Sequence, residues 1–353
     1  MELPLVSIVV LNWNGWKDTI ECLESLYRMD YPRYEITILD NGSSDGSVSK
    51  IAEYCSGQFV SESPHFEFQI SNRPIRVLRI DLDQIRSGRA FGTADEFSRL
   101  PGNRKLKIIV SDRNLGFAEG NNVVLRHVLE EIDKPRYVLL LNNDTVVDSK
   151  LLKQLVCASE SDNAIGFSGP KVYFYEFGGR KDVISFAGGR IVMWKGQAAH
   201  LGSGKIDKGE HDELREVDYV EGSCILAKTE MIRRIGLLDS SFFAYWEESD
   251  WCLRGRRGGF KSVYVPKALV WHKMDASRNG LRRTYLMTRN MFWFVKKNSD
   301  GLQFATFLLY FFCFSFYLNI LGYLILHRDF RIMSSYFRGA IDGLAGMRET
   351  LTE

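Results

Sequence analysis

Three groups of residues in this sequence have the types and spacing to do chemistry. Asn142-Asn143-Asp144 closes the apolar run Tyr137–Leu141. An Asp at such a strand end is a natural holder of a divalent cation through hard oxygen ligands. Glu247-Glu248-Ser249-Asp250 sets three carboxylates within four residues, at the start of a helix that stops at Gly258-Gly259. The helix macrodipole favours acids there and accounts for one or two of them. It does not account for Tyr245, Trp246 and Trp251, whose bulk would desolvate a carboxylate and raise its pKa towards that of a general base. His272 ends the run Ala268–Trp271. A lone histidine is most often a packed or surface residue, but this one stands at a strand end beside a tryptophan.

The elements that must position these groups can be read from periodicity. Leu5–Leu11, Glu35–Leu39, Lys107–Val110 and Tyr137–Leu141 are apolar runs of the kind buried on both faces of a sheet. Lys17–Tyr27 and Ala118–Ile132 carry apolar residues at helical spacing. That alternation predicts an α/β fold with a parallel sheet and helices on both faces. Ligands bind at the carboxyl ends of such strands. Those ends read Asn12-Trp13-Asn14-Gly15, Asp40-Asn41-Gly42-Ser43-Ser44-Asp45, Asp112-Arg113-Asn114-Leu115-Gly116-Phe117 and Asn142-Asn143-Asp144. Each is also good turn chemistry, so each alone reads equally as a connection. Together they form one polar edge able to grip a base, a ribose and a diphosphate.

The rhythm lapses over residues 55–106, which read as an insertion. Val183–Phe186 and Gly189–Trp194 are short β-like runs, and the polar stretch Gly202–Glu216 suits a mobile loop near a site. Ser262–Val265 and Ala268–Trp271 read as two short strands. The first strand is followed by neither G-x-G-x-x-G nor G-x-x-x-x-G-K-[ST], which argues against dinucleotide-binding and P-loop chemistry.

The 353 residues are 45% hydrophobic and 25% charged, a globular composition, and the formal charge of +2 gives no case for nucleic acid. The six cysteines have no ligand-like spacing and read as reduced core thiols of a cytosolic compartment. No signal peptide is expected, because an apolar strand follows Met1–Pro4 at once. Phe304–Leu326 carries no charge, and as a helix would extend about 34 Å against a hydrocarbon core of about 30 Å. A buried helix of that length normally shows a polar face, and this one has only Ser315 and Asn319. It reads as a membrane-spanning or membrane-embedded segment over 301–327, followed by a tail helix over 328–353. Arg278, Arg282, Arg283, Arg289, Lys296 and Lys297 on its N-terminal side outnumber Asp275 and Asp300. On the far side Arg328, Arg331, Arg338 and Arg348 are partly offset by acids. The bias places residues 1–303 on the cytoplasmic side of the cell membrane.

As a set, the motifs resemble the inverting glycosyltransferase family 2, whose fold is the GT-A, Rossmann-like nucleotide-diphospho-sugar transferase fold. They are Ser7–Gly15, Asp40–Gly46, Asn114–Asn122, Leu141–Asp144, Gly222-Ser223-Cys224, Trp246–Arg254 and Val270-Trp271-His272. Any one is weak; seven in the family's order across residues 5–300 are specific. The rhamnosyltransferase-like and galactofuranosyltransferase-like members look most similar.

The resemblance implies a catalytic domain over 1–300. Asp40 would hold the base or ribose of a UDP-, dTDP- or GDP-sugar. Asn12 and Asn114 would line the nucleotide pocket, with Asn14, Ser43, Gly116, Asn121 and Asn143 on the same side. Asp144 would bind Mg²⁺ or Mn²⁺ across the diphosphate, and His272 would ligate the same ion. Glu248 stands at the base position, with Glu247 or Asp250 as alternatives. Asn142 and Asn143 leave the metal motif one carboxylate short, which implies weaker metal affinity. Gly222-Ser223-Cys224 and the Gly202–Glu216 loop would shape the side of the acceptor, a saccharide or lipid-linked saccharide of cell-surface glycan or polysaccharide synthesis. A catalytically weak nucleotide-sugar-binding or scaffold subunit is the alternative. A nucleotidyltransferase ranks last, because it would carry a glycine-rich basic loop where Asn12-Trp13-Asn14-Gly15 stands.

Overall fold

A computed structural model describes residues 3–58, 62–67, 73–86, 97, 99–130, 134–273, 280–327 and 329–347. Asp275, Arg278, Arg328 and Arg348, weighed above for membrane orientation, lie outside the described residues.

The apolar runs become the middle of a sheet because they have no polar face to show to water. β1 (Val6–Asn12) is followed by α1 (Trp16–Tyr27), β2 (Tyr34–Asn41) and α2 (Ser47–Ser56). β3 (Arg76–Asp81), α3 (Leu82–Arg86), β4 (Lys105–Ser111), α4 (Gly116–Glu130) and β5 (Tyr137–Asn142) complete the first half. β1 lies between β2 and β5, parallel to both, with Asn12 opposite Asp40 and Leu11 opposite Asn142. That register brings the polar ends of the three strands level, which is how residues far apart in sequence come to share one edge.

The stretch read as an insertion contains β3, an exposed parallel edge strand on β4. Its sequence, Arg76-Val77-Leu78-Arg79-Ile80-Asp81, spaces charges among apolar residues, as edge strands do.

The second half turns the sheet mixed. β6 (Thr145–Val147), α5 (Leu151–Ser161), β7 (Ile165–Phe174) and β8 (Ile184–Phe186) precede a hairpin of β9 (Gly189–Val192) and β10 (Gln197–His200). β11 (Arg215–Val217), β12 (Cys224–Lys228), α6 (Thr229–Ile235), α7 (Glu247–Arg257) and β13 (Lys261–His272) follow. Among the described residues the sheet has 11 strands, with β11-β13-β7-β12-β5-β1-β2-β4-β3 in line and β6 and β8 beside it. β12 runs antiparallel to β5, and β13 runs parallel to β7. The two short strands read around Pro266 are one strand, β13, with a register shift between Val265 and Leu269. The Gly202–Glu216 stretch is pinned: Lys171 on β7 donates to Asp207 at 2.7 Å and to Asp212 at 2.6 Å.

Three helices finish the chain: α8 (Gly280–Asn298), the apolar helix α9 (Gly301–Ile325) and α10 (Phe330–Ala345). They enclose a second core in which Phe242 and Trp246 meet Phe292, Phe307, Phe311 and Tyr336. Four cysteines are buried, as the core reading expects, whereas Cys157 and Cys313 are exposed.

Candidate active site

At the β1 edge, side chains bind one another before they could bind anything else. Asn12 donates to Asp40 Oδ1 at 2.6 Å and to Ser43 Oγ at 3.2 Å, and accepts from Thr19 at 2.8 Å. Asn143 reaches back to Thr19 Oγ1 at 2.9 Å and to Asn12 Oδ1 at 3.3 Å. The Ser43 amide takes the other Asp40 oxygen at 3.1 Å. Asn14, in the left-handed region at φ 50°, receives the Ser44 amide at 2.8 Å. A side chain at Gly15 would put its Cβ 2.7 Å from Asn143 Nδ2, so glycine is what lets the first loop close on the fourth. Asn12, Asp40 and Asn143 therefore form a rigid floor, with Asn14 and Ser43 at its rim.

Asn114 and Gly116 belong to a neighbouring turn, where Asn114 Oδ1 receives the Gly116 amide at 2.8 Å and the Asn41 amide nitrogen at 3.0 Å. Asn121 is buried on α4, its amide donating to Phe117 O one turn earlier at 2.9 Å. That bond assigns Asn121 to the helix rather than to the rim.

The metal-type pair is built by strand register. β6 runs antiparallel to β13 with Thr145 opposite His272, so the turn residue before Thr145 lies against the imidazole. Asp144 Oδ1 is 3.1 Å from His272 Nε2. On the other side of the ring, Nδ1 faces Glu221 Oε1 at 3.7 Å, an ion-pair rather than a hydrogen-bond distance. Burial by itself lowers the His272 pKa, but the flanking Asp144 and Glu221 carboxylates outweigh it and lift it to about 10. Burial pushes the Asp144 and Glu221 carboxyls up, and the imidazolium overrides it and holds both below the usual range.

A carboxylate oxygen and an imidazole nitrogen this close fit a divalent cation, which would displace the imidazole's proton. Among the described residues no group of three His, Cys, Asp or Glu side chains forms a complete cage. The remaining positions would fall to water and to a ligand's phosphate oxygens, the usual arrangement for Mg²⁺. Glu221 would then orient the ring from behind.

The acids stand at the end of a strained turn. Phe243, Tyr245 and Trp246 all have positive φ, at 65°, 72° and 77°. Such residues persist only where surroundings over-determine them. Here Asn290 on α8, buried, donates from one nitrogen to Phe242 O, Ala244 O and Tyr245 O at 2.8–2.9 Å. Arg289, beside it, donates to Phe242 O at 3.1 Å. The Phe243 carbonyl caps the start of α4, receiving the Phe117 amide at 2.7 Å and the Ala118 amide at 3.1 Å. Gly116 passes so close that a Cβ there would lie 2.6 Å from the Phe243 ring.

The turn delivers the three carboxylates to different places. Glu248 lies beside Gly222, where a Cβ would come within 3.6 Å of it. Burial raises its pKa to about 7, against backbone hydrogen bonds that lower it, and the charge of Glu221 adds to the rise. Glu247 is buried and raised well above the carboxylate range by burial and by Glu248, and its Oε2 has no hydrogen-bond partner among the described residues. Asp250 is 0% exposed and spends its oxygens on Arg254 at 2.9 Å, Lys297 at 3.0 Å and Asn298 at 3.0 Å. Its place is a structural tie between α7 and α8, and the candidacy of Asp250 as base is withdrawn on that ground. Trp251 sits in the main core against Phe167, so desolvation of the acids comes from burial in the turn and not from that ring.

Sequence reading missed Glu221 and Asn290. Glu221 precedes the Gly222-Ser223-Cys224 motif, and its adjacency to that motif was the one available signal. Asn290 lies amid a helix of ordinary amphipathic pattern and gives none. Arg289, counted above in the charge bias for membrane orientation, is buried beneath the turn instead.

Comparison with known proteins bears on this arrangement. The family described as "Glycosyl transferase family 2" matches residues 7–78, and the one described as "Glycosyltransferase like family 2" matches residues 90–292, more than half of the chain. The chain is 28% identical over 205 residues to a low-salt glycan biosynthesis hexosyltransferase of Haloferax volcanii, covering 56% of this chain and 64% of that protein. It is 23% identical over 216 residues to a dTDP-rhamnosyl transferase of Shigella flexneri, covering 57% of this chain and 66% of that protein. The match thus spans just under two thirds of either relative's length. A mannosyltransferase from Pyrobaculum calidifontis, solved with GDP-Man and Mn²⁺, shares the fold, with a TM-score of 0.55 and 12% identity over 98% of this chain and 88% of that one.

Proposed function

The chain belongs to glycosyltransferase-like family 2, and on that premise we propose that it moves a sugar from a nucleoside-diphosphate donor to a saccharide or lipid-linked saccharide, with inversion, in glycan synthesis. The observation that carries this reading is the single carboxylate Glu221, which faces the His272–Asp144 pair and acts electrostatically on Glu248. A metal-suited pair and a carboxylate of raised pKa thereby share one acidic neighbour.

In this reading the Asn12–Asp40–Asn143 floor and the rim of Asn14 and Ser43 hold the nucleotide. Asp144 and His272 would hold Mg²⁺ or Mn²⁺, and the bound ion would supply charge neutralisation at the diphosphate leaving group. Glu248, with a pKa near 7, accepts the proton of the acceptor hydroxyl as that oxygen attacks the anomeric carbon. The C1–O bond to the nucleotide breaks on the opposite face, so one displacement inverts the centre. Glu247, held mostly neutral beside it, keeps a second negative charge away from the base.

Residues 1–300 form the catalytic domain, 301–327 a membrane-embedded helix and 328–353 its tail, tethered to the cell membrane on the cytoplasmic side. The helix Gly301–Ile325 is long and apolar enough for the membrane, and only 11% of its apolar window is buried. Tethering would raise the effective concentration of a lipid-linked acceptor.

The test is to incubate the protein with UDP-, dTDP- and GDP-sugars, Mn²⁺ and a lipid-linked saccharide, and to read the anomeric configuration of the product by NMR. A product of inverted configuration supports the reading. Binding of a nucleotide-sugar without transfer or hydrolysis of any donor would instead point to a nucleotide-sugar-binding scaffold subunit.

A further inference from the structure

The apolar helix α9 has the length of a membrane span, but its neighbour returns to where it began. After Ile325 the chain reverses, and α10 runs back beside α9: the Tyr336 ring packs on Phe311, Phe316 and Tyr323 with centroids 6.3, 6.0 and 5.4 Å away. Asn319 donates to the Tyr336 hydroxyl at 3.2 Å. Further along, α10 docks on α8 of the catalytic domain through Gly339-Ala340-Ile341-Asp342-Gly343. The contact is backbone-close: a Cβ at Gly339 would lie 2.6 Å from Tyr285 O, and one at Gly343 2.9 Å from Arg289 O. Tyr285 donates to Asp342 at 2.8 Å across it. The end of α10 and the start of α9 therefore both sit on the catalytic domain.

A span would have to carry α10 to the far side or through the hydrocarbon. Neither fits a helix that holds Arg331, Arg338 and Asp342 and is locked to α8. Yet the pair shows water a large apolar surface, including Leu309, Phe314, Leu318, Leu321, Ile325 and Ile341, each more than half exposed. A surface of this extent marks a partner. Its rim has the composition of a bilayer interface. The exposed Trp194 packs edge-on against Tyr310 with Lys195 above both rings, and Arg331 and Arg338 are 79% and 66% exposed.

We propose that α9 and α10 form a helical hairpin lying along a single leaflet of an anionic lipid bilayer, with its apolar face in the lipid, its turn at Asp329 and Arg331 kept at the headgroup level and both ends on the catalytic domain's side, so that the chain does not cross the membrane. This rests on the membrane-tethered reading above and fixes its topology. The hairpin shares its core with the acid-bearing turn through Phe242 and Trp246, so the same hairpin would set the height of the active site above the lipid.

The full chain, with an epitope tag after Glu353, is mixed with phosphatidylcholine vesicles with and without phosphatidylglycerol and floated. Sealed vesicles bearing the catalytic domain outside are then treated with protease. The expected result is flotation enhanced by phosphatidylglycerol, with tag and domain digested from the same side. In Leu318→Asp/Leu321→Asp, at positions more than half exposed and outside the second core, flotation falls at least about tenfold while the protein stays folded. A tag protected inside the vesicle would overturn the hairpin and leave the membrane reading standing. No flotation of the wild type, or self-association in solution in its place, would overturn both.

Discussion

His272 lies between two carboxylates, with Nε2 3.1 Å from Asp144 Oδ1 and Nδ1 3.7 Å from Glu221 Oε1. In the proposed mechanism Asp144, partly exposed, would share a cation with the ring, and the more enclosed Glu221 would orient the ring from behind while its charge adds to the raised pKa of Glu248. On that reading one buried imidazole links the proposed metal pair to the proposed base.

Glu248 and Asp250 are two residues apart on α7, and their substitution should fail in opposite ways. Glu248→Gln is expected to lower kcat by about 10²–10⁴-fold with donor KM little changed, because it removes proton acceptance alone. Asp250→Ala removes the shared acceptor of Arg254, Lys297 and Asn298, leaving Arg254 on the Ile235 and Leu237 carbonyls and Lys297 on Asp239, and should cost about 1–3 kcal/mol of stability. Steady-state kinetics and thermal melts of both variants separate the roles.

The raised pKa of Glu248 also sets a pH dependence. The base must be ionised, so kcat/KM should rise with pH and level off above about 7, and this limb should be missing from the residual activity of Glu248→Gln. The sign for stability is opposite. A carboxyl whose folded pKa is raised binds its proton more tightly in the native state, so stability should fall as pH rises from about 4.5 to about 7. Denaturant titrations across that window check it, with Glu248→Gln giving the flatter profile.

Asn290 holds three carbonyls of a turn that contains three left-handed residues. Asn290→Ala removes the two N–H groups shared among those acceptors and should cost about 2 kcal/mol, at about 1 kcal/mol for each N–H. Activity should fall further than melting predicts at temperatures where the variant is fully folded, because the turn aims Glu248. Parallel measurement of kcat and of the folded fraction by circular dichroism decides this.

Much of this was legible in the sequence, and the exceptions have physical causes. β1, β2 and β5 announce themselves because strands buried on both faces cannot carry polar residues. β3 hides because Arg76, Arg79 and Asp81 belong to an exposed edge and read as loop. β13 was split in two because Pro266-Lys267 reads as a break, whereas the sheet absorbs it as a bulge. Asp144, His272 and Glu248 draw attention through their local settings in the sequence. Asp250 looked equivalent to Glu248 because the partner that separates them, Lys297, is 47 residues away. Glu221 escaped for the same reason, its importance lying in a histidine on another strand.

The most direct test is calorimetric titration of the solubilised protein with UDP-, dTDP- and GDP-sugars, with and without Mn²⁺, on wild type and on Asp144→Ala. The account predicts that one nucleotide class binds wild type, that Mn²⁺ tightens this binding, and that Asp144→Ala abolishes the effect of Mn²⁺. Binding that ignores both the metal and Asp144, or no binding of any nucleotide, would contradict it.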